Sequence, residues 1–245
     1  MRPDTFRYFS IAALLVHMLL LATPAVAGIR LAAGTAYYSG PISAELNQQL
    51  LATVKGKAVK RLVITSSGGE VEAGIALGLW VFDHRLNVEV TDYCLSSCAN
   101  YVFPAGHRKS IAPGAIVAWH GNYHHLQQTG LWRDDIAVRM ERHGEDAATA
   151  EMQARELVDR LASLEQDFFA HIGVNEFICW IGKLPPYSAP NYYFLSRKDM
   201  ARFGVSNVQT PPDYENTDVS GFSHPIRYIT LSPSKPPRAE LFDIP

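Results

Sequence analysis

Apolar positions along the chain follow two alternating rhythms, short branched runs and longer stretches with helical spacing. Gly34 to Tyr38 reads as a strand before a Gly40-Pro41 turn. Ser43 to Val54 reads as a helix, with Ser43 as its cap and Leu46, Leu50 and Leu51 on one face. Arg61 to Thr65 is a short buried-type strand, broken by Ser66-Ser67-Gly68-Gly69 and followed by an apolar helix from Val71 to Phe82. Gly74 and Gly78 lie one turn apart on that helix, a spacing that lets a second backbone approach closely. The same logic repeats: Asn87 to Thr91 alternates as a strand, Cys94 to Ser97 turns, and Cys98 to Phe103 opens an apolar helix. Arg108 to Ile111 and Ala115 to Trp119 are short strands, and Thr129 to Leu131 lies in a loop. Ala147 to Ile172 is a long helix with Leu157, Leu161, Leu164 and Phe168 in one stripe. Asn191 to Leu195 is a strand, and Ser196 caps a short helix through Arg202 that Gly204 ends. Strands alternating with helices predict an α/β domain with mainly parallel pairing.

The two ends differ from this middle. Arg2 and Arg7 precede an apolar stretch, Ile11 to Ala22, interrupted only by His17; Ala25-Val26-Ala27 then supplies small residues at a cleavage site. Residues 1–27 therefore read as a secretory signal, which predicts a periplasmic or secreted bacterial protein. Membrane association is expected only if that segment stays uncleaved, because the apolar stretch is short for a span of about 20 residues. Residues 28–208 make the domain. Residues 209–245, rich in Pro, Ser and Asp, read as an extended or partly disordered tail.

Composition narrows the function. A formal net charge of -2 argues against nucleic-acid binding. Three cysteines are too few for a disulfide scaffold, although export allows one bridge, and Cys94 and Cys98 are the near pair. No cofactor motif is present, and a Cys-x-x-x-Cys spacing alone does not make a metal site.

The candidate chemistry lies on two strand-to-helix turns. In Ser66-Ser67-Gly68-Gly69 the glycines free backbone N–H groups to face a ligand beside a helix N-terminus, the arrangement an oxyanion hole requires. In Cys94-Leu95-Ser96-Ser97-Cys98 a serine stands at a helix mouth, where it serves either as a cap or as a nucleophile given a base. His120, just past the strand ending at Trp119, is the base that could face the same cleft.

Together these pieces resemble the ClpP/crotonase superfamily. Ser66-Ser67-Gly68-Gly69 with Gly74 is similar to the Gly-Gly motif of ClpP-type peptidases, and Ser97 stands nine positions before Gly106 of Ala105-Gly106, the family's spacing from nucleophile to Ala-Gly pair. Arg108 to His120 resembles the hairpin leading to the catalytic histidine. Phe194-Leu195-Ser196 and Phe203-Gly204-Val205 resemble the closing strand, helix and glycine. The likeness covers about Thr35 to Val208, is most specific from Ile64 to His120, and is closer to exported ClpP-like proteins than to the cytosolic peptidase.

The resemblance implies a spiral of ββα units and a serine hydrolase, a peptidase working without ATP on a flexible peptide or small ester-like substrate. Ser97 would be the nucleophile and His120 the base, with the N–H groups of Gly68, Gly69 and Cys98 as oxyanion donors. Ser96 is the alternative nucleophile, one residue away in register. A Cys94–Cys98 bridge would stiffen the turn. The family's habit of forming rings or trimers makes a homo-oligomer compatible with the chain.

One departure matters. The family's third member is an Asp shortly before the closing strand, yet Pro185 to Tyr192 holds no acid. Ser188 and Asn191 stand nearest that position, and Asp159 or Asp167 of the long helix are substitutes. A Ser–Lys dyad is disfavoured, because Lys109 and Lys183 lie on segments not expected to reach the serine. His120, His124 and His125 offer a zinc alternative, weakened by their place in an expected loop. Trp119 and Trp132 read as core, with lining of a substrate cleft as the alternative. The competing functional class is a catalytically inactive binding or assembly module that keeps the cleft. Acyl-CoA chemistry is disfavoured by the export signal.

Overall fold

The computed structural model describes residues 28–232; the expected signal segment and the chain beyond Ser232 lie outside the described residues. The chain opens with a hairpin, β1 (Gly28–Ala32) and β2 (Thr35–Ser39), turned at Ala33 and Gly34, both with positive φ. This tight turn brings in a strand ahead of Gly34 that the pattern did not predict. Helix α1 (Ala44–Val54) follows, capped by Ser43, whose hydroxyl accepts from Leu46 N at 3.1 Å. Then come β3 (Arg61–Ser66), α2 (Val71–Asp83) and β4 (Asn87–Leu95).

Past β4 a π-helical turn, Cys98–Val102, runs into a short helix, α3 (Phe103–Ala105). Strands β5 (Lys109–Ile111) and β6 (Ile116–Ala118) lead to α4 (Tyr123–Thr129). A second π-helical turn, Arg133–Ala137, enters α5 (Val138–Arg142), and α6 spans Ala147–Ile172. The domain closes with β7 (Tyr192–Leu195), α7 (Arg197–Ala201), β8 (Val208–Gln209) and β9 (Ile226–Ile229).

The result is an α/β fold whose central sheet runs β1-β2-β3-β4-β5-β8, parallel except at the β1–β2 hairpin. β4 serves two neighbours. Its first half, Val88 to Val90, pairs with β5, and its second half, Tyr93 to Leu95, pairs with β6. The sheet thus splits along one strand, and β6 is carried to the end where β4 delivers its turn.

Val208 does not mark a boundary. Among the residues expected to form a tail, β9 pairs in parallel with β7, and Tyr214 is buried with its hydroxyl accepting from Val117 N at 3.3 Å. The stretch is polar on average, but Tyr214, Ile226, Ile229 and Leu231 are apolar anchors spaced widely enough to escape a compositional reading.

The main core lies between the sheet and α2, with Leu62, Ile64, Val81, Val88, Val90 and Val102 at 1 % exposure or less. The close approach expected at Gly74 and Gly78 occurs: a Cβ on Gly78 would sit 2.5 Å from Tyr101 O, and one on Gly74 would sit 2.7 Å from the Tyr101 ring. Trp119 is fully buried and its indole donates to Ala99 O at 3.0 Å. Trp132 belongs to a second, smaller core with Ile136, Ala154 and Val158, which fastens the segment around α4 and α5 to α6.

Candidate active site

The site is built where the Gly68-Gly69 turn, the Ser96-Ser97 turn and the segment after β6 meet. Gly68 and Gly69 both have positive φ, and their backbone leaves no room for side chains. A Cβ on Gly68 would lie 2.6 Å from Ser96 Cβ, and one on Gly69 would lie 2.1 Å from Ile42 O. Glycine is required at both positions by close approach as well as by conformation.

Ser96 is one of the few non-glycine residues with positive φ (53°), held between the end of β4 and the helical turn. A strained serine on a strand-to-helix turn projects its hydroxyl away from both elements. The backbone on either side is pinned. Ser96 N donates to Ala118 O at 3.3 Å, Asn100 N donates to Ser96 O at 2.8 Å, and the Asn100 side chain donates to Gly121 O at 3.0 Å. Asn100 therefore ties the serine turn to the histidine segment. Cys94 and Cys98 form a disulfide with a Cα–Cα distance of 5.2 Å, closing a covalent bracket around the turn.

The hydroxyl that meets the imidazole belongs to Ser96, not Ser97: Ser96 Oγ lies 2.7 Å from His120 Nε2. Ser97 Oγ is turned inward and donates to Gly69 O at 2.7 Å, so it links the two turns instead. The backbone after the two serines is wound more loosely than an α-helix. Phe103 N bonds Cys98 O, a π-type turn that holds one residue more than an α turn.

His120 is aimed by its neighbours. Trp119 and Tyr193 exchange both backbone hydrogen bonds at 2.8 Å, and Gly121 N donates to Cys179 O at 2.8 Å. The Tyr192 ring lies against the imidazole, with centroids 4.7 Å apart. One edge of the ring reaches solvent, yet the protein packed around it disfavours the imidazolium. That desolvation, with Lys183 and His224 adding positive potential, lowers the His120 pKa to about 4.

No side chain among the described residues hydrogen-bonds the second imidazole nitrogen. Asn191 and Ser188 are exposed, and neither side chain engages His120. Asp159 is held by Gln127 at 2.8 Å, and Asp167 is exposed on α6. Lys183, contrary to expectation, lines the same cleft, but its ammonium is tied to Pro190 O at 3.0 Å and Asn191 O at 3.2 Å.

The amides divide unevenly. Gly68 N donates to Ser66 Oγ at 3.1 Å and so is already used. The N–H groups of Gly69 and Ser97 have no partner among the described residues. With Ser96 as the reference hydroxyl, the amide that follows it is that of Ser97, and Cys98 moves one place further into the helix. All of this opens onto a cleft of about 510 Å³ whose apolar wall includes Val71, Leu126, Leu131 and Ile136.

His124 and His125 lie in α4 rather than a loop, and they do not converge with His120 on a metal set. His124 Nδ1 pairs with Glu176, and His125 stacks on Trp180 at 5.3 Å. Among the described residues no three His, Cys, Asp or Glu side chains are grouped to hold a metal ion. Asn122 caps α4 by accepting from His125 N at 3.0 Å, an Asn-x-x signal present in the sequence but hidden by the polar residues that follow it.

Sequence reasoning missed Glu165. It is fully buried on α6, where its carboxylate accepts from Tyr101 Oη at 2.5 Å, Tyr123 N at 3.1 Å and His124 N at 2.8 Å. Burial raises its pKa to about 7, against the opposing pull of those donors. It anchors the start of α4, and hence one wall of the cleft, to α6. No protein-family model matches this chain, and no curated protein sequence matches it.

Proposed function

We propose that this protein is a serine hydrolase of ClpP/crotonase-like fold, exported to the periplasm or secreted, that cleaves peptides or small ester-like substrates without ATP. Ser96 is the nucleophile and His120 the general base. The observation that carries this is the 2.7 Å contact between Ser96 Oγ and His120 Nε2, made by a serine held at positive φ on a strand-to-helix turn. The split pairing of β4 with β5 and β6 supports the ββα spiral.

In the first step Ser96 Oγ attacks the substrate carbonyl as His120 Nε2 takes its proton. The N–H groups of Gly69 and Ser97 receive the oxyanion, and the imidazolium returns its proton to the leaving amine or alcohol. Water then enters by the same route and releases the acyl group. With no acid among the described residues to stabilise the imidazolium, the pair works as a dyad, and a cost of up to about 10⁴ in rate relative to a full triad is expected.

That no side chain among the described residues meets the second nitrogen of His120 also favours the competing role of a binding module with a vestigial site. Hydrolysis of p-nitrophenyl esters and of a fluorogenic peptide library distinguishes the two. A hydrolase gives turnover that falls at least about 10³-fold in Ser96→Ala and His120→Ala. A binding module gives background rates in all three proteins.

A further inference from the structure

A second cleft, of about 470 Å³, shares no lining residue with the first. It lies between the end of α2, the Gly106–Lys109 stretch, the end of α6 and the turn after Gly204. Its notable feature is a lysine with no counter-ion among the described residues. Lys109 is only 5 % exposed, and its ammonium donates to Ser206 O at 2.9 Å. No carboxylate among the described residues pairs with it. A buried cation with a single carbonyl partner is costly unless another group completes its coordination.

The fixed charges of the lining are Lys109 and Arg85 against the single carboxylate of Asp83, so the cleft keeps a net positive charge. Arg85 forms no ion pair among the described residues. Its guanidinium lies instead along the His107 ring, 3.4 Å from Nδ1 and 3.5 Å from Nε2. His171 also faces the cleft and holds the one carboxylate there, Asp83, at 3.2 Å. Phe82, Ile172 and Val174 make the remainder of the wall apolar.

We infer that this cleft binds a small organic oxyanion, a carboxylate or phosphate on an apolar body, with Lys109 and Arg85 as its charged clamp. The anionic end would complete the coordination of Lys109, and the body would lie on Phe82 and Val174. Burial lowers the Lys109 pKa to about 8, so the side chain is charged at neutral pH and an anion beside it would raise that value again.

The test is titration of the full chain with phenyl phosphate, benzoate, inorganic phosphate and neutral benzamide, read by calorimetry and by the NMR signals of the lysine ε-CH₂ groups. Saturable binding of phenyl phosphate or benzoate is expected, about tenfold tighter than inorganic phosphate and absent for benzamide. The tighter of the two names the head group. Arg85→Ala, a surface change, should weaken binding about tenfold, and Lys109→Met should abolish it with the circular dichroism spectrum unchanged. Ser96→Ala should leave it intact. No saturable binding of either aromatic anion, or equal binding by wild type and Arg85→Ala, overturns the proposal.

Discussion

Gly68 and Ser96 press against each other closely enough that a Cβ on Gly68 would stand 2.6 Å from the Ser96 Cβ and 2.7 Å from Leu95 O. Two turns separated by most of a βα unit are thus fitted backbone to backbone. Gly68 also has φ +89°, where an L side chain is strained whatever the space. Gly68→Ala should cost roughly 1–3 kcal/mol in stability and displace the Ser96 hydroxyl. Esterase rates should fall about 10²-fold with little change in overall circular dichroism. A fully active, equally stable Gly68→Ala protein would show that the turns are not coupled.

The histidine predicts an unusual acid limb. Because its surroundings lower the His120 pKa to about 4, the imidazole stays neutral, and able to accept a proton, well below pH 6. The pH dependence of kcat/KM should therefore break near pH 4 on the acid side. A break near 6.5, the ordinary value for histidine, contradicts that environment.

The bracket around the nucleophile is covalent. Replacing Cys94 and Cys98 together by Ala should cost about 2 kcal/mol, the entropy of a very short loop. It should slow acylation of the serine by roughly 10–100-fold as the turn loosens. Mild reduction should act similarly. Cys179 should stay unreactive until the protein unfolds, since burial pushes its thiol well above the usual range. Full activity in reductant contradicts a positioning role for the bridge.

Glu165 links stability to pH in a definite direction. Its folded pKa, about 7, lies above the carboxylate value of 4.5, so the unfolded chain ionises first. Its contribution is fully present below pH 4.5 and is lost as pH rises through 7. Glu165→Gln should therefore lose more stability relative to wild type at pH 4.5 than at pH 7. The gap between the two should narrow by roughly 3 kcal/mol across that window in urea titrations. A pH-independent gap contradicts this.

Much of the architecture was legible in the sequence because local signals agreed with the tertiary answer. The long helix begins at Ala147 and ends at Ile172 as expected, with Asp146 capping one end and Gly173 in the left-handed region at the other, but its buried face runs through Ala154, Val158, Leu161, Glu165 and Phe168 and leaves Leu164 of the expected stripe exposed. Ser43 and Ser196 cap the helices assigned to them, and the Cys94–Cys98 pairing falls where the strand-to-helix turn brings the two residues together. The misplacements are non-local. Adjacent Ser96 and Ser97 carry the same local signal, and only the fold shows that the Ser96 hydroxyl meets His120 while that of Ser97 turns to Gly69 O. β9 forms only because β7 offers an open edge, which its own Pro-rich surroundings cannot announce. Glu165 reads as one more charged position on an amphipathic helix. Only the fold shows that its carboxylate is sealed under α4. Lys183 reaches the cleft through two 3-10 turns that carry no periodic signal.

The most direct test of the central claim is where an activated-serine reagent attaches. Treating the purified protein with a fluorophosphonate and mapping the modified peptide by tandem mass spectrometry separates two adjacent hydroxyls. The Ser96–His120 contact predicts a single adduct on Ser96, lost in Ser96→Ala and in His120→Ala and kept in Ser97→Ala. An adduct on Ser97, or none on either serine in the folded oxidised protein, contradicts it.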